Sequence, residues 1–115
     1  MTETPLWSAD VSRHGSVSTV TLSGELDLVA AGHLRLLLVE QLDQPGTTGV
    51  TADLKAVTFV DSAALGAFIS AYQHAAAVNR RFFLAEPARP VRRVLEISGV
   101  YEMLVAVDEN VTPPG

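Results

Sequence analysis

The chain has 115 residues, of which 48% are hydrophobic, and it carries a formal net charge of -5 at pH 7. This length supports one hydrophobic core but not two ordinary domains. The acidic balance disfavours nucleic-acid binding, because that affinity comes mainly from Lys and Arg side chains that neutralise phosphates. The sequence contains no cysteine, which excludes a disulfide framework and a cysteine-based metal site.

The sequence also lacks the patterns of a membrane span or an export signal. No apolar run reaches the length that crosses a bilayer, and residues 1–5 have neither the basic start nor the apolar middle of a secretory signal. We therefore expect a cytoplasmic protein that does not insert directly into a membrane.

The first part of the chain predicts a β-hairpin followed by a helix. Residues 6–13 are typical of a strand, His14-Gly15 of a turn, and residues 17–23 of a second strand with alternating β-branched side chains. The segment Gly24-Glu25-Leu26-Asp27 closes this strand, and its aspartate is a natural N-cap for a helix over 28–42. The residues expected on the core side of this helix are Ala31, Leu34, Leu37, Leu38 and Leu42.

The rest of the chain alternates between strand and helix patterns, separated by Pro and Gly residues that break regular structure. The predicted elements are strands at 49–54, 81–84 and 104–107 and helices at 62–79 and 91–98. The expected core residues of the two helices are Leu65, Phe68, Ile69, Tyr72 and Ala76, then Val91, Val94 and Leu95.

This order predicts a single α/β domain over residues 6–107. We expect a mixed sheet of about five strands, made of an N-terminal antiparallel hairpin and then parallel β-α-β units, together with about three helices. Residues 1–5 are expected to be disordered, and residues 108–115 are expected to form a C-terminal tail, because prolines near the end cannot continue a helix or a central strand.

Two of the predicted strands lead into helices through an acidic residue. Asp27 precedes the first helix, and Asp61 and Ser62 stand at the start of the second. Because successive crossovers place strand-to-helix joints at the same end of a parallel sheet, we expect these three side chains to lie close together. A helix N-terminus carries about half a positive charge, so an added anion there changes the local charge and shape.

The beginning of the second predicted helix is also rich in small side chains, which let another protein's backbone approach closely. High helix propensity explains the alanines equally well without a partner. The predicted partner-binding residues are Asp27, Asp61, Ser62, Ala63, Ala64, Gly66, Ala67 and Ser70.

An enzyme is disfavoured by the arrangement of the reactive residue types. Ser62 lacks the Gly-x-Ser-x-Gly elbow of many hydrolases, and His14, His33 and His74 lie on a turn or on predicted exposed helix faces. The histidines show neither the i, i+4 pairing nor the clustered acidic residues of a metal site, and no glycine-rich loop precedes a helix to hold a phosphate-bearing cofactor. We predict no catalytic site, no metal and no cofactor.

Three segments in order carry a resemblance to a known family. With Gly24-Glu25-Leu26-Asp27 and Asp53-Leu54, the segment Phe59-Val60-Asp61-Ser62-Ala63-Ala64-Leu65-Gly66 resembles the STAS domain family over about residues 6–107, most closely its stand-alone bacterial anti-sigma factor antagonists. The resemblance implies partner switching. The unmodified antagonist binds an anti-sigma factor that is a GHKL-type serine kinase and frees a sigma factor, until that kinase phosphorylates the antagonist.

The chain departs from the family at the residue that normally accepts the phosphate. The family's joint reads Asp-Ser-Ser-Gly-Leu or Asp-Ser-Thr-Gly-Leu, and the acceptor is the second hydroxyl residue, whose position here is Ala63. Ser62 is a weak candidate acceptor, because successive helix positions point about 100° apart. The resemblance further implies that Asp27 contacts the partner, and it predicts regulation other than phosphorylation of this chain at Ala63.

Two other functions use the same fold. A STAS subunit that docks on the ATPase of an ABC-type membrane transporter needs no phosphoacceptor, so the loss of that residue favours this alternative. The second alternative is a stressosome-type scaffold, although such chains usually carry an added N-terminal sensory domain.

The family's closing helix is expected to be missing, because Asp108-Glu109-Asn110 runs into Pro113-Pro114. The sequence does not predict a homo-oligomer.

Overall fold

The structure is a computed structural model and describes residues 6–105. After an initial hairpin its helices and strands alternate, as the sequence predicts, until a short fourth helix follows the third. They are β1 (Trp7–His14), β2 (Val17–Leu26), α1 (Leu28–Leu42), β3 (Gly49–Val60), α2 (Ser62–Ala77), β4 (Arg81–Ala85), α3 (Arg89–Ile97) and α4 (Tyr101–Leu104).

The sheet is mixed and has the strand order β1-β2-β3-β4. The strands β1 and β2 pair antiparallel with His14 opposite Val17, and Gly15 in the tight turn between them has a φ of +63°, a conformation that glycine adopts without steric cost. The pairs β2–β3 and β3–β4 are parallel, which requires the helical crossovers α1 and α2. The predicted α/β fold with a hairpin followed by parallel units is confirmed.

The helices cover one face of this sheet and bury its apolar side chains. Along β2, Val20 and Leu22 are fully buried, whereas Thr19 and Thr21, which alternate with them, are not. This alternation places Val20 and Leu22 towards the helices and Thr19 and Thr21 on the opposite face of the sheet. The helices α1 and α2 pack against each other and against the sheet, and the rings of Phe68 and Phe82 stack with centroids 6.5 Å apart.

The strand predicted at 49–54 is longer in the structure. The strand β3 continues to Val60 and remains paired with β2 through two register shifts, between Thr21 and Ser23 and between Gly24 and Glu25. Beside the first shift, the backbone N–H of Lys55 donates to Asp53 Oδ1 at 2.9 Å. Lys55 interrupts the apolar run that defined the predicted strand, but pairing with β2 carries the strand past it.

The sequence predicted a strand over residues 104–107, but its first residue, Leu104, is helical in the structure. In the described region the sheet therefore has four strands rather than about five. Leu104 is buried in the short helix α4, where its N–H donates to the Val100 carbonyl at 3.0 Å. Val105 forms a single parallel bridge with Leu84. Gly99, with a φ of +76°, ends α3 and allows this extra helical turn. Residues 106 and 107 lie outside the described residues.

The predicted core faces of the helices need small corrections. In α1 the buried series is Ala30, Leu34, Leu38 and Leu42, so Ala30 takes the place of Ala31. In α2 Leu65 and Phe68 are buried as predicted, but Ala76 is exposed. The fully buried face of α2 instead includes alanines at 64, 67, 71 and 75, because this helix packs on α1 as well as on the sheet.

The predicted disordered N-terminus at 1–5, the tail at 108–115 and the missing closing helix all fall outside the described residues. Between residues 6 and 105, no helix is both long enough and apolar enough to cross a membrane.

Two arginines, Arg13 and Arg80, form hydrogen bonds at the end of the sheet where the parallel strands begin. Arg80 donates to the carbonyls of Leu42 and Gln44, which places a cation at the C-terminus of α1, where the helix dipole favours it. Arg13 donates to Thr47 Oγ1 at 2.9 Å and to the Pro45 carbonyl at 3.3 Å. These contacts join the loops beneath the sheet and give both arginines a structural role.

Candidate functional site

The parallel strands β2 and β3 end side by side and bring the two predicted acidic joints together. Leu26 pairs with Val60, and the N–H of Asp61 donates to the Leu26 carbonyl at 3.1 Å. Asp27 and Asp61 are therefore neighbours at the carboxyl edge of the sheet, with Ser62 following. We call Asp27, Asp61 and Ser62 the rim. The prediction that these residues lie close together is confirmed.

Each aspartate of the rim caps the helix that follows it. Asp27 Oδ1 accepts from the N–H groups of Val29 at 3.0 Å and Ala30 at 3.2 Å. Asp61 Oδ1 accepts from the N–H of Ala64 at 3.0 Å. These bonds satisfy first-turn donors that have no partner within the helix. Among the described residues, the Oδ2 atom of each aspartate accepts no hydrogen bond, so both carboxylates keep an oxygen for an external donor.

Removing the cap at Asp61 is expected to lower stability without changing the fold. We expect Asp61→Ala to reduce the free energy of unfolding by about 1 kcal/mol and the melting temperature by about 4 °C, measured by circular dichroism. Asp61→Asn is the matched control, because asparagine caps a helix about as well as aspartate while removing the charge. Equal losses in both variants would contradict a capping role.

An accessible stripe runs along α2 from the rim. Ser62 and Gly66 are exposed, and Ala63 and Ser70 are half-buried. Positions 62, 66 and 70 are each four residues apart and so lie on one helix face. This stripe contains four of the residues predicted to contact a partner.

Ala64 and Ala67 must be removed from that predicted contact surface. Ala64 is fully buried and Ala67 is 4% exposed, so neither can touch another protein. Both lie in the core that α2 shares with α1 and the sheet. Their small size lets these elements pack closely, a third explanation beside helix propensity and partner contact.

Exposed apolar side chains surround the rim, and sequence reasoning missed them. Leu28 and Val29, the first residues of α1, are 74% and 78% exposed, and Phe59 is 47% exposed. Leu6 is 62% exposed, and its carbonyl accepts from the N–H of Glu25, which itself pairs with Phe59. We call Leu6, Leu28, Val29 and Phe59 the apolar corner. The helical spacing of α1 could have indicated their exposure, because Leu28 and Val29 do not belong to the series of buried residues at 30, 34, 38 and 42.

The remaining reactive side chains lie apart from the rim. His14 and His33 are exposed, and His74 Nε2 lies 2.7 Å from Asp43 Oδ1 near the far ends of α1 and α2. Within residues 6–105, no three His, Asp or Glu side chains come together as ligands of a metal ion. The geometry at the rim therefore combines two helix caps, an accessible serine and apolar surface, which suits contact with another macromolecule.

Comparison with known proteins decides the family. A model of the STAS domain matches residues 8–112. The chain belongs to the STAS domain family. The family resemblance seen in the sequence of this STAS domain is confirmed.

This STAS domain is similar to proteins that carry the name of anti-sigma factor antagonist. It is 26% identical over 102 residues to an anti-sigma F factor antagonist of Paenibacillus polymyxa, covering 89% of this chain and 87% of the relative. Its fold matches the anti-sigma factor antagonist SpoIIAA in its unphosphorylated form, with a TM-score of 0.74 and 24% identity over 90% of this chain and 92% of the other. It also matches an antagonist from Mycobacterium paratuberculosis, with a TM-score of 0.76 and 23% identity over 90% and 89% of the two chains.

Proposed function

We propose that this STAS domain is an anti-sigma factor antagonist that acts in the cytoplasm, binds an anti-sigma factor through the rim and the outer stripe of α2, and so releases a sigma factor. The observation that carries this proposal is the rim itself. Within a STAS domain whose relatives are antagonists, Asp61 and Ser62 stand at an accessible helix start beside Asp27. The proposed partner is an anti-sigma factor of the GHKL-type serine kinase class.

The family's usual means of release cannot operate at Ala63. A phosphoryl group adds about two negative charges and three acceptor oxygens. At a rim that already contains two carboxylates, this addition opposes partner binding through like-charge repulsion. Ala63 has the right place in α2, directly after Ser62, but it has no hydroxyl group. We therefore propose that binding is controlled by the amount of this protein or by the state of its partner.

Direct binding measurements test this function. The unmodified chain should bind a purified GHKL-type anti-sigma factor from the same genome in isothermal titration calorimetry, and it should displace sigma factor from the preformed complex. Ala63→Glu should weaken this binding at least about tenfold by charge and bulk, with Ala63→Gln as the uncharged control of similar size. Binding to the ATPase of an ABC-type transporter, with none to any anti-sigma factor, would instead support the alternative predicted from the sequence.

A further inference from the structure

The apolar corner contains large hydrophobic side chains that the fold does not use. Leu28 and Val29 are among the most exposed apolar residues of the described chain, and neither belongs to the hydrophobic core. Single exposed apolar residues are common and need no explanation. Four of them around one pair of strand ends are different, because grouped apolar surface bordered by polar residues marks a contact site.

The corner borders the rim along the chain, since Leu28 directly follows Asp27 and Phe59 precedes Asp61 by two residues. Leu26 pairs with Val60, and backbone geometry limits the Cα separation of Leu28 and Phe59 to at most about 16 Å. Two residues this close can both contact the same partner, because a standard interface covers about 800 Å² of each protein. Other exposed apolar residues of the described chain lie further away: Leu36 is in the same helix α1 but about two turns beyond Leu28, and Ile97 is in α3.

Acidic groups border this apolar surface. Asp27 directly precedes Leu28, Asp61 follows Phe59 by two residues, and Glu25 is exposed and pairs with Phe59. Because both aspartates use Oδ1 for capping, their Oδ2 atoms remain able to accept from Lys or Arg side chains of another protein. The surface is thus complementary to an apolar pocket with basic residues at its edge.

We propose that Leu28, Val29 and Phe59 are the anchor residues by which this chain binds its protein partner, and that they enter an apolar pocket bordered by Lys or Arg on that partner. The inference rests on the proposed function, since the pocket is assigned to the anti-sigma factor. It adds that the main contribution to affinity comes from α1 and the end of β3, whereas the start of α2 adjusts it. A few buried anchors commonly dominate a protein interface.

Paired variants test the anchors. We expect the double variant Leu28→Ser/Val29→Ser to lose about 10- to 100-fold in affinity for the purified GHKL-type anti-sigma factor, and Phe59→Thr to lose about tenfold. Leu36→Ser is the matched control, because Leu36 is 53% exposed on the same helix, about two turns from the rim. The affinity of this variant for the anti-sigma factor should change less than threefold. Melting temperatures should remain close to that of the unmodified chain, since the replaced side chains are exposed.

Calorimetry separates the possible outcomes. If the unmodified chain binds and the double variant binds equally tightly, the anchor assignment is wrong while the proposed function stands. If Leu36→Ser weakens binding as much as the double variant, the effect is not specific to the corner and the assignment is also wrong. If the unmodified chain binds no anti-sigma factor, the proposed function is wrong and the anchor assignment falls with it. Burial of the anchors should also make the heat-capacity change of binding less negative in the double variant than in the unmodified chain.

Discussion

Replacing Ala63 with serine is expected to change the chain from one that takes up no phosphate into one that takes up one phosphate group per molecule. The substitution adds a hydroxyl at the position where the family resemblance places the phosphate acceptor, and it leaves the Asp61 cap in place. Serine in the first turn of a helix costs little. The test is the intact mass of each protein after incubation with ATP and the purified GHKL-type anti-sigma factor that we propose as its partner.

The controls for this experiment are the unmodified chain and the double variant Ser62→Ala/Ala63→Ser. The double variant should be phosphorylated as fully as Ala63→Ser, which assigns the phosphate to position 63. Ser62 is exposed in the structure, so solvent accessibility alone does not prevent its modification. A stoichiometric phosphate on Ser62 of the unmodified chain would show that phosphorylation does control this protein.

Phosphorylation of Ala63→Ser should also restore release of the partner. Before phosphorylation, this variant should bind the anti-sigma factor with nearly the affinity of the unmodified chain, because one hydroxyl adds little bulk. Afterwards the phosphate places close to two negative charges beside Asp61 and Asp27, and the complex should dissociate. Size-exclusion chromatography before and after the kinase reaction measures this change.

Replacing Gly24 with alanine is expected to destabilise the domain by about 3 kcal/mol. Gly24 has a φ of +86°, and an added Cβ would lie 2.0 Å from the carbonyl oxygen of Leu6. That carbonyl accepts from the N–H of Glu25 at 2.8 Å, so relief of the clash must disturb the end of β2 that leads to Asp27. The melting temperature should fall by about 10 °C, and urea unfolding should give a lower midpoint.

The matched control is Gly32→Ala, in the exposed part of α1. Apart from its own chain neighbours and the backbone of its own helix, nothing lies within 4 Å of a Cβ added there, and alanine is more favourable than glycine in a helix by about 0.8–1.0 kcal/mol. This variant should be as stable as the unmodified chain or more stable. A Gly24→Ala protein with an unchanged melting temperature would show that the N-terminal strand moves aside at no cost.

Local patterns in the sequence were sufficient to predict the architecture and the position of the rim. Alternating β-branched residues identified the hairpin, and Asp27 and Asp61 identified two helix starts, because a capping aspartate acts on backbone groups within three residues of itself. The expectation that the two aspartates lie close together then followed from the parallel strands, whose strand-to-helix joints fall at the same end of the sheet. These inferences depend on neighbours along the chain or on a general rule of topology.

Burial around the rim could not be predicted in this way. Ala64 and Ala67 were predicted to contact a partner but are buried, and the 47% exposure of Phe59 was not predicted. Their surroundings come from α1 and β2, which lie far away in the sequence, and the register shifts of β2 against β3 break the alternation on which strand burial is judged.

The sequence by itself determined the order of elements as far as α3, the two capped helix starts and the absence of an acceptor oxygen at Ala63, because each of these is a property of local chemistry. Only the tertiary structure decided which small residues of α2 are accessible, how far β3 extends and that Phe59 is exposed. Those properties depend on which distant segments pack against each residue, and no local pattern contains that information.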